Sequence, residues 1–270
     1  METLVAMTMG TILVMLASTL FLVQNDFYSF LVRRAEVQDN ARAVAELISS
    51  ELRAVVPGGV VVADSGQVVV RTPILLAMVC EKQGVNLVVH IPGGDDDVES
   101  DDVAGFALWD ATDRDWTFHS ATWNSMQRGA GNAAMRCAAA GADTVGAFDE
   151  FSRLGNLEAT AGTPIDIGDI LMIYREVEFS LDTSALDPSK TALYTGNYGE
   201  DLVEFATGLS PATYLEYRKG SDVYYKRLTS ELDAIDGIRI VSVAQAPAEG
   251  GGQEDITFTL NVETALLNAR

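Results

Sequence analysis

Between Thr3 and Val23 the chain has no charged side chain: the run TLVAMTMGTILVMLASTLFLV is broken only by hydroxyls and one glycine. As a helix these 21 residues extend about 31 Å, close to the hydrocarbon thickness of a bilayer. Glu2 stands at the edge of the run. A secretory signal peptide fits poorly. No Lys or Arg precedes the run, the run is longer than an ordinary apolar signal core, and no A-x-A site closes it. A core helix of a globular protein rarely avoids charge for so long at an extreme terminus. The run therefore predicts a membrane span. Arg33 and Arg34 follow it, and a positive-inside count taken alone places them in the cytoplasm.

The helical pattern continues past the span. From Gln24 to Val56 there is neither glycine nor proline, and Pro57-Gly58-Gly59 then ends it. Apolar residues recur at Phe27, Phe30, Leu31, Val37, Ala41, Val44, Ala45, Ile48, Leu52 and Val55, mostly in steps of three or four. The charged residues Arg33, Glu36, Asp39, Arg42, Glu46, Glu51 and Arg53 fall on the other side. Residues 2–56 thus predict one helix of about 80 Å. It is apolar all round in its first half and on one face in its second.

After Gly59 the period changes. Val60–Ala63 and Gln67–Arg71, joined at Asp64-Ser65-Gly66, predict a β-hairpin. Further strands are expected at Ile74–Cys80, Val85–Ile91, Ile170–Leu181, Ala192–Thr195, Thr213–Tyr217 and Val223–Leu228. Gly237–Ala244 and Asp255–Val262 are expected to pair antiparallel across the loop Pro247–Gln253. The stretch from about 92 to 165 differs in composition and reads as a large variable insertion. No repeat of 20–50 residues is present. The expectation is an α+β fold: an N-terminal helix over 1–56, packed on a globular, mainly antiparallel β domain over 57–270.

Charge and rare residues narrow the function. Lys and Arg total 18 against 39 acids, a formal net charge of −21. Phosphate binding needs a cationic stripe, so nucleic acid is not expected as a partner. Charge-driven adhesion to anionic lipid is disfavoured for the same reason. Two His and two Cys in 270 residues leave no zinc-type cluster to find, and no cofactor is expected. Outside the cytoplasm Cys80 and Cys137 would oxidise to a disulfide; the alternative is two buried thiols. The run Asp95–Asp102 reads as a solvated acidic loop, with Ca²⁺ binding as the alternative, because it lacks EF-hand spacing. His90 and His119 have no ligand partners at useful spacing. Trp109, Trp116 and Trp123 read as packing residues. Gly250-Gly251-Gly252 lacks the strand–turn–helix setting of a phosphate loop. No set of residues identifies a catalytic dyad or triad, so no enzyme is expected.

A glutamate directly before a 20-residue apolar helix, an amphipathic continuation and then antiparallel sheet resembles the type IV pilin superfamily. Glu2-Thr3-Leu4-Val5-Ala6-Met7 looks like the interior of the prepilin-type cleavage and methylation motif. Val37-Gln38-Asp39-Asn40-Ala41-Arg42, continuing through Leu47, Ser50, Leu52 and Arg53, is similar to minor pilins and to the J-type minor pseudopilin of type II secretion. The family carries a basic leader, a cleavage glycine and a Phe-Thr-Leu-like segment before its glutamate. Here Met1 directly precedes Glu2, so the resemblance implies a start upstream of Met1, with prepilin peptidase as a partner if that leader exists. The leader would also carry the cytoplasmic positive charge.

The resemblance implies a structural subunit of the inner membrane, with its C-terminal domain in the periplasm or outside the cell. It would prime or tip a type IV pilus or a type II secretion pseudopilus. Its partners would be the bilayer and other pilin-like subunits, met through the N-terminal helix. Glu2 would be the assembly residue: a carboxylate at the end of an apolar helix is costly to bury unless paired, and a neighbour's amino terminus would pair it. The physical alternative is a Glu2 resting in interfacial water. The rival function is a single-pass, membrane-anchored extracytoplasmic binding or enzyme domain, for which residues 3–23 are only a tether.

Overall fold

In a computed structural model the described residues are 2–91, 102–110, 115–128, 137, 153–220, 223–246 and 256–266. Helix α1 runs from Glu2 to Leu52. It is long and apolar enough to cross a membrane. Thirteen strands follow among the described residues, and each pairs antiparallel with its neighbours. They are β1 (Val60–Asp64), β2 (Gln67–Gln83), β3 (Asn86–Ile91), β4 (Gly105–Asp110), β5 (Asp115–Arg128), β6 (Arg153–Ala159) and β7 (Ile170–Thr183). Then come β8 (Thr191–Asn197), β9 (Val203–Leu209), β10 (Tyr214–Arg218), β11 (Tyr224–Tyr225), β12 (Gly237–Ala246) and β13 (Ile256–Ala265).

Two long strands organise the sheet. β2 and β7 pair along most of their length, from Gln67↔Ser180 to Met78↔Ile170. Towards the Met78 end, β2 pairs β3, β3 pairs β6, β6 pairs β5, β5 pairs β4, and β4 returns to β7. That ring closes a six-stranded barrel. Its interior holds Ala77, Val79, Leu87, Phe106, Trp123, Leu157, Leu171 and Ile173, all buried. Towards the Gln67 end the sheet runs through β1 on one side and β8, β9, β12 and β13 on the other.

The second half of α1 lies in that other lobe. Val37, Ala41, Val44, Ala45, Ile48 and Leu52 are buried in one cluster with Val68, Val70, Phe179, Leu193, Tyr217, Ile238 and Ile240. Each of the larger helix side chains contributes about 1.5–3 kcal/mol by leaving water. Gly208 in β9 has φ +83, and a Cβ there would come within 3.0 Å of the Asn40 side chain. Only glycine meets both demands where strand and helix approach. An Arg175–Glu51 ion pair of 3.5 Å ties the last turn of the helix to β7.

The structure departs from the pattern reading in five places. The helix stops at Leu52, not Val56, and Val55 and Val56 stay buried beyond its end. The apolar stripe meets the sheet only from Val37 on; Phe27 and Leu31 are exposed. Pro73, which falls between the expected strands Gln67–Arg71 and Ile74–Cys80, lies inside β2, and a register shift between Pro73 and Leu75 accommodates its missing N–H donor. Val223–Leu228 is not a full strand. Tyr224–Tyr225 pairs with β10, and Leu228 makes one isolated bridge to Ala63. The 92–165 stretch supplies β4, β5 and β6, three walls of the barrel. The β12–β13 pair forms as expected, in register from Gly237↔Ala265 to Ala246↔Ile256.

Candidate functional site

The feature that sets this molecule apart is the first half of α1. From Ala6 to Tyr28 every residue is exposed, and Met7, Met15 and Phe21 each keep at least 70% of their surface open. An apolar helix that touches none of its own domain cannot remain in water at that cost; each such side chain forfeits about 1.5–3 kcal/mol until something covers it.

The polar atoms of this half suit a dry setting. Thr11 Oγ1 donates to the Thr8 carbonyl at 2.9 Å and Thr19 Oγ1 to the Met15 carbonyl at 2.8 Å. These hydroxyls therefore need no partner from a surrounding apolar medium. Charge resumes at Asp26 and at Arg33, whose Nε donates to the Ser29 carbonyl at 3.3 Å. Thirteen residues, about three and a half turns, thus separate the apolar run from the point where Val37 meets the sheet.

Glu2 lies in the first turn of α1, and its side chain is outside the described residues. Cys80, on β2, and Cys137 are joined by a disulfide with Cα atoms 4.5 Å apart. Both are buried beside Met78, Val88 and Leu154 on the barrel. Of the acidic run, 95–101 lies outside the described residues; Asp102 accepts from Asn197 Nδ2 at 3.0 Å. Gly250-Gly251-Gly252 also lies outside them. Among the described residues no group of three or more His, Cys, Asp and Glu is placed to hold a metal. His90 is buried on β3. His119, on β5, stacks 5.4 Å from Phe106, and burial lowers its pKa below the ordinary histidine value.

The three tryptophans separate. Trp123 is a barrel-core residue, as packing predicts. Trp109 and Trp116 face each other across β4 and β5 with ring centroids 5.3 Å apart, and Trp109 is half exposed. The sequence also gave no sign of a polar lattice on the C-terminal strands. Arg218 donates to Asp236 at 2.9 Å and pairs with Glu263, which accepts from Tyr224 at 2.5 Å. Arg239 lies 3.4 Å over the Tyr224 ring. Hydrogen bonding and charge from Asp236 raise the Arg218 pKa further. Every charge in this lattice is matched, which suits it to holding β10, β12 and β13 together.

Compared with protein-family models, curated proteins and solved structures, the chain matches none.

Proposed function

We propose that this chain is a membrane-inserted filament subunit of the type IV pilin kind, a minor pilin or minor pseudopilin. In this reading α1 is held in the inner membrane before assembly and lies against the α1 helices of neighbouring subunits afterwards, with the β domain facing outward. The observation that carries the reading is the division of one unbroken helix. Its first half is apolar and uncovered all round, while its second half is buried in its own domain. A tether needs only the span. It does not need the helix to run on, without glycine or proline from Thr11 onward, into the middle of the core. A rigid continuation fixes the domain's position relative to whatever surrounds the apolar half, and that suits a repeating assembly.

Glu2 is assigned the registering role. A carboxylate beside the amino end of a helix is favoured by the helix dipole, and pairing with a neighbour's amino group would set the stagger between subunits. The disulfide fits a domain outside the cytoplasm.

The test is co-expression with the other subunits of the filament system, scoring membrane insertion and filament incorporation separately. Glu2→Ala should leave the chain in the membrane fraction and abolish its cysteine cross-linking, through residues 12–20, to neighbouring helices. Replacing 3–23 with an unrelated apolar span should also insert but fail to assemble. If both variants assemble and function as the parent does, α1 is a tether, and the anchored-domain reading replaces this one.

A further inference from the structure

Strand β13 ends the sheet with an edge to which no strand is paired among the described residues. It pairs with β12 alone, in continuous register from Gly237↔Ala265 to Ala246↔Ile256. Which backbone groups face outward follows from Val243, the residue opposite Thr259. Val243 turns away from β13: its N–H donates to Thr213 Oγ1 at 3.0 Å, and its carbonyl accepts from the Ser210 N–H at 2.6 Å. Opposed residues of an antiparallel pair either exchange both hydrogen bonds or both turn their groups outward. Thr259 therefore points its N–H and C=O to the open side, and so do Thr257 and Asn261, two residues to either side. Such edges are ordinarily blunted by lysine, proline or a bulge. Ile256–Val262 has none of the three.

A groove lies beside this edge. Arg42, Glu46, Ser49 and Arg53 of α1 line one wall, and Leu260 and Val262 of β13 line the other. Ile256, Phe258, Leu260 and Val262 pack against the core on the helix side, yet each keeps part of its surface open. Ser49 is only 6% exposed, and its Oγ has no hydrogen-bond partner. A hydroxyl shut from water and left unmatched is costly until a polar group meets it. The charges here are unmatched too. On the domain Arg71 is paired with Glu176, Arg175 with Glu51, and Arg218 and Arg239 with Glu263. Arg42 and Arg53 are exposed and make no ion pair with any described residue, although the chain carries 39 acids. With Glu46 between them, the groove keeps a net positive charge.

We propose that β13 accepts an added strand from a different protein: an acidic segment in extended conformation. Its backbone pairs with Thr257, Thr259 and Asn261. Its alternate side chains lie over the groove, the apolar ones continuing the layer of Leu260 and Val262 and a carboxylate meeting Arg42 or Arg53. Main-chain pairing supplies affinity, and the arginines select the acid. A second copy of this chain does not fit. The helix-facing side chains of its β13 are Ile256, Phe258, Leu260 and Val262, which bring no carboxylate to the arginines. The proposal does not depend on how the apolar half of α1 is used.

The experiment uses the full chain in non-ionic micelles with three acetylated, amidated heptapeptides. The first is Thr-Val-Thr-Asp-Thr-Val-Ser, the second has Lys in place of Asp, and the third has Pro at its third and sixth positions. Binding is read by anisotropy of the labelled peptide and by hydrogen exchange resolved to single residues. In the free chain the amides of Thr257, Thr259 and Asn261 should exchange fast, and the acidic peptide should slow them at least about fivefold. The lysine and proline peptides should bind at least about tenfold more weakly. Thr259→Pro removes an outward N–H and no bond to β12, so the melt should hold while binding is lost. Arg42→Gln combined with Arg53→Gln should weaken the acidic peptide about tenfold, and it keeps the test open if the proline variant fails to fold. The proposal is overturned if the acidic peptide fails to bind, if the lysine peptide binds as well, or if the paired arginine change has no effect. It is overturned too if the free chain dimerises through β13, or if those three amides are already slow in the free chain. In those cases a second copy or the chain itself fills the edge.

Discussion

The main chain of Gly155 on β6 lies against the indole of Trp123 on β5. A Cβ on Gly155 would fall 2.4 Å from Cη2 and 2.6 Å from Cζ2 of that ring. The barrel closes over its largest core side chain only because one residue opposite has none. Gly155→Ala should therefore destabilise the domain by about 1–3 kcal/mol, the usual cost of overpacking. Trp123→Phe in the same chain should return part of it. Denaturant midpoints of the two single variants and the double variant measure the coupling.

Tyr217 is fully buried on β10, and its hydroxyl shares its one proton between the Asp64 carbonyl at 2.7 Å and the Gln67 carbonyl at 2.9 Å. It clamps β10 to the turn between β1 and β2. Burial pushes its phenol well above the ordinary tyrosine value, so it stays protonated, and a donor, at a pH where an ordinary tyrosine ionises. Tyr217→Phe keeps the ring and loses the clamp. About 1–2 kcal/mol should be lost, with faster amide exchange at Leu215, whose N–H donates to the Ser65 carbonyl at 2.8 Å.

The Cys80–Cys137 bridge spans 57 residues of chain. By the chain-entropy argument a loop of that size restricts the unfolded state by about 4 kcal/mol. Reduction, or the double change Cys80→Ala with Cys137→Ala, should lower the unfolding midpoint by up to that amount. A melt followed with and without reductant checks it, and no change would mean that the loop is restrained by other means.

Glu204 on β9 gathers the turn between β7 and β8. It accepts from Ser184 Oγ at 2.7 Å, from the Ala185 N–H at 2.9 Å and from Tyr194 at 3.1 Å. The Ser184 hydrogen bond is the largest of the influences that lower its pKa. A carboxylate whose folded pKa is depressed adds stability above its ordinary value and loses it as pH falls through the folded one. Below the ordinary glutamate range the amides of Leu186 and Asp187, which donate to Ser184 Oγ, should exchange faster after correction for the intrinsic rate. Glu204→Gln should show the faster exchange at neutral pH and lose most of the acid dependence.

Which elements were legible follows from where their information lies. The long helix, the β1–β2 hairpin and the β12–β13 pair are written in local periodicity and in turn residues. The barrel is not. β4 has six residues, and its outer partner β7 begins 60 residues after β4 ends; nothing in Gly105–Asp110 announces that pairing. β9 was missed because Val203 and Phe205 face outward and Gly208 interrupts its pattern. The expected strands Gln67–Arg71 and Ile74–Cys80 leave a gap at Pro73 because a bulge cannot be seen before its partner strand is known. Of the candidate sites, the exposed apolar half of α1 was plain from charge alone. The Trp109–Trp116 contact needed the β4–β5 register, since seven-residue spacing alone does not show that Trp109 meets Trp116 while Trp123 turns inward.

The continuity of α1 has a mechanical meaning. Tension applied along the apolar half travels down one helix with no glycine or proline between Thr11 and Leu52. It reaches the domain as a load parallel to the layer formed by Val37, Val44, Ile48 and Leu52. Loaded in shear, that layer must give way all at once, whereas a peeling load would part it one contact at a time. The Glu51–Arg175 pair stands at the far end of the layer, where such a load is last felt. The domain is hung from its apolar half as a blade is hung from its tang.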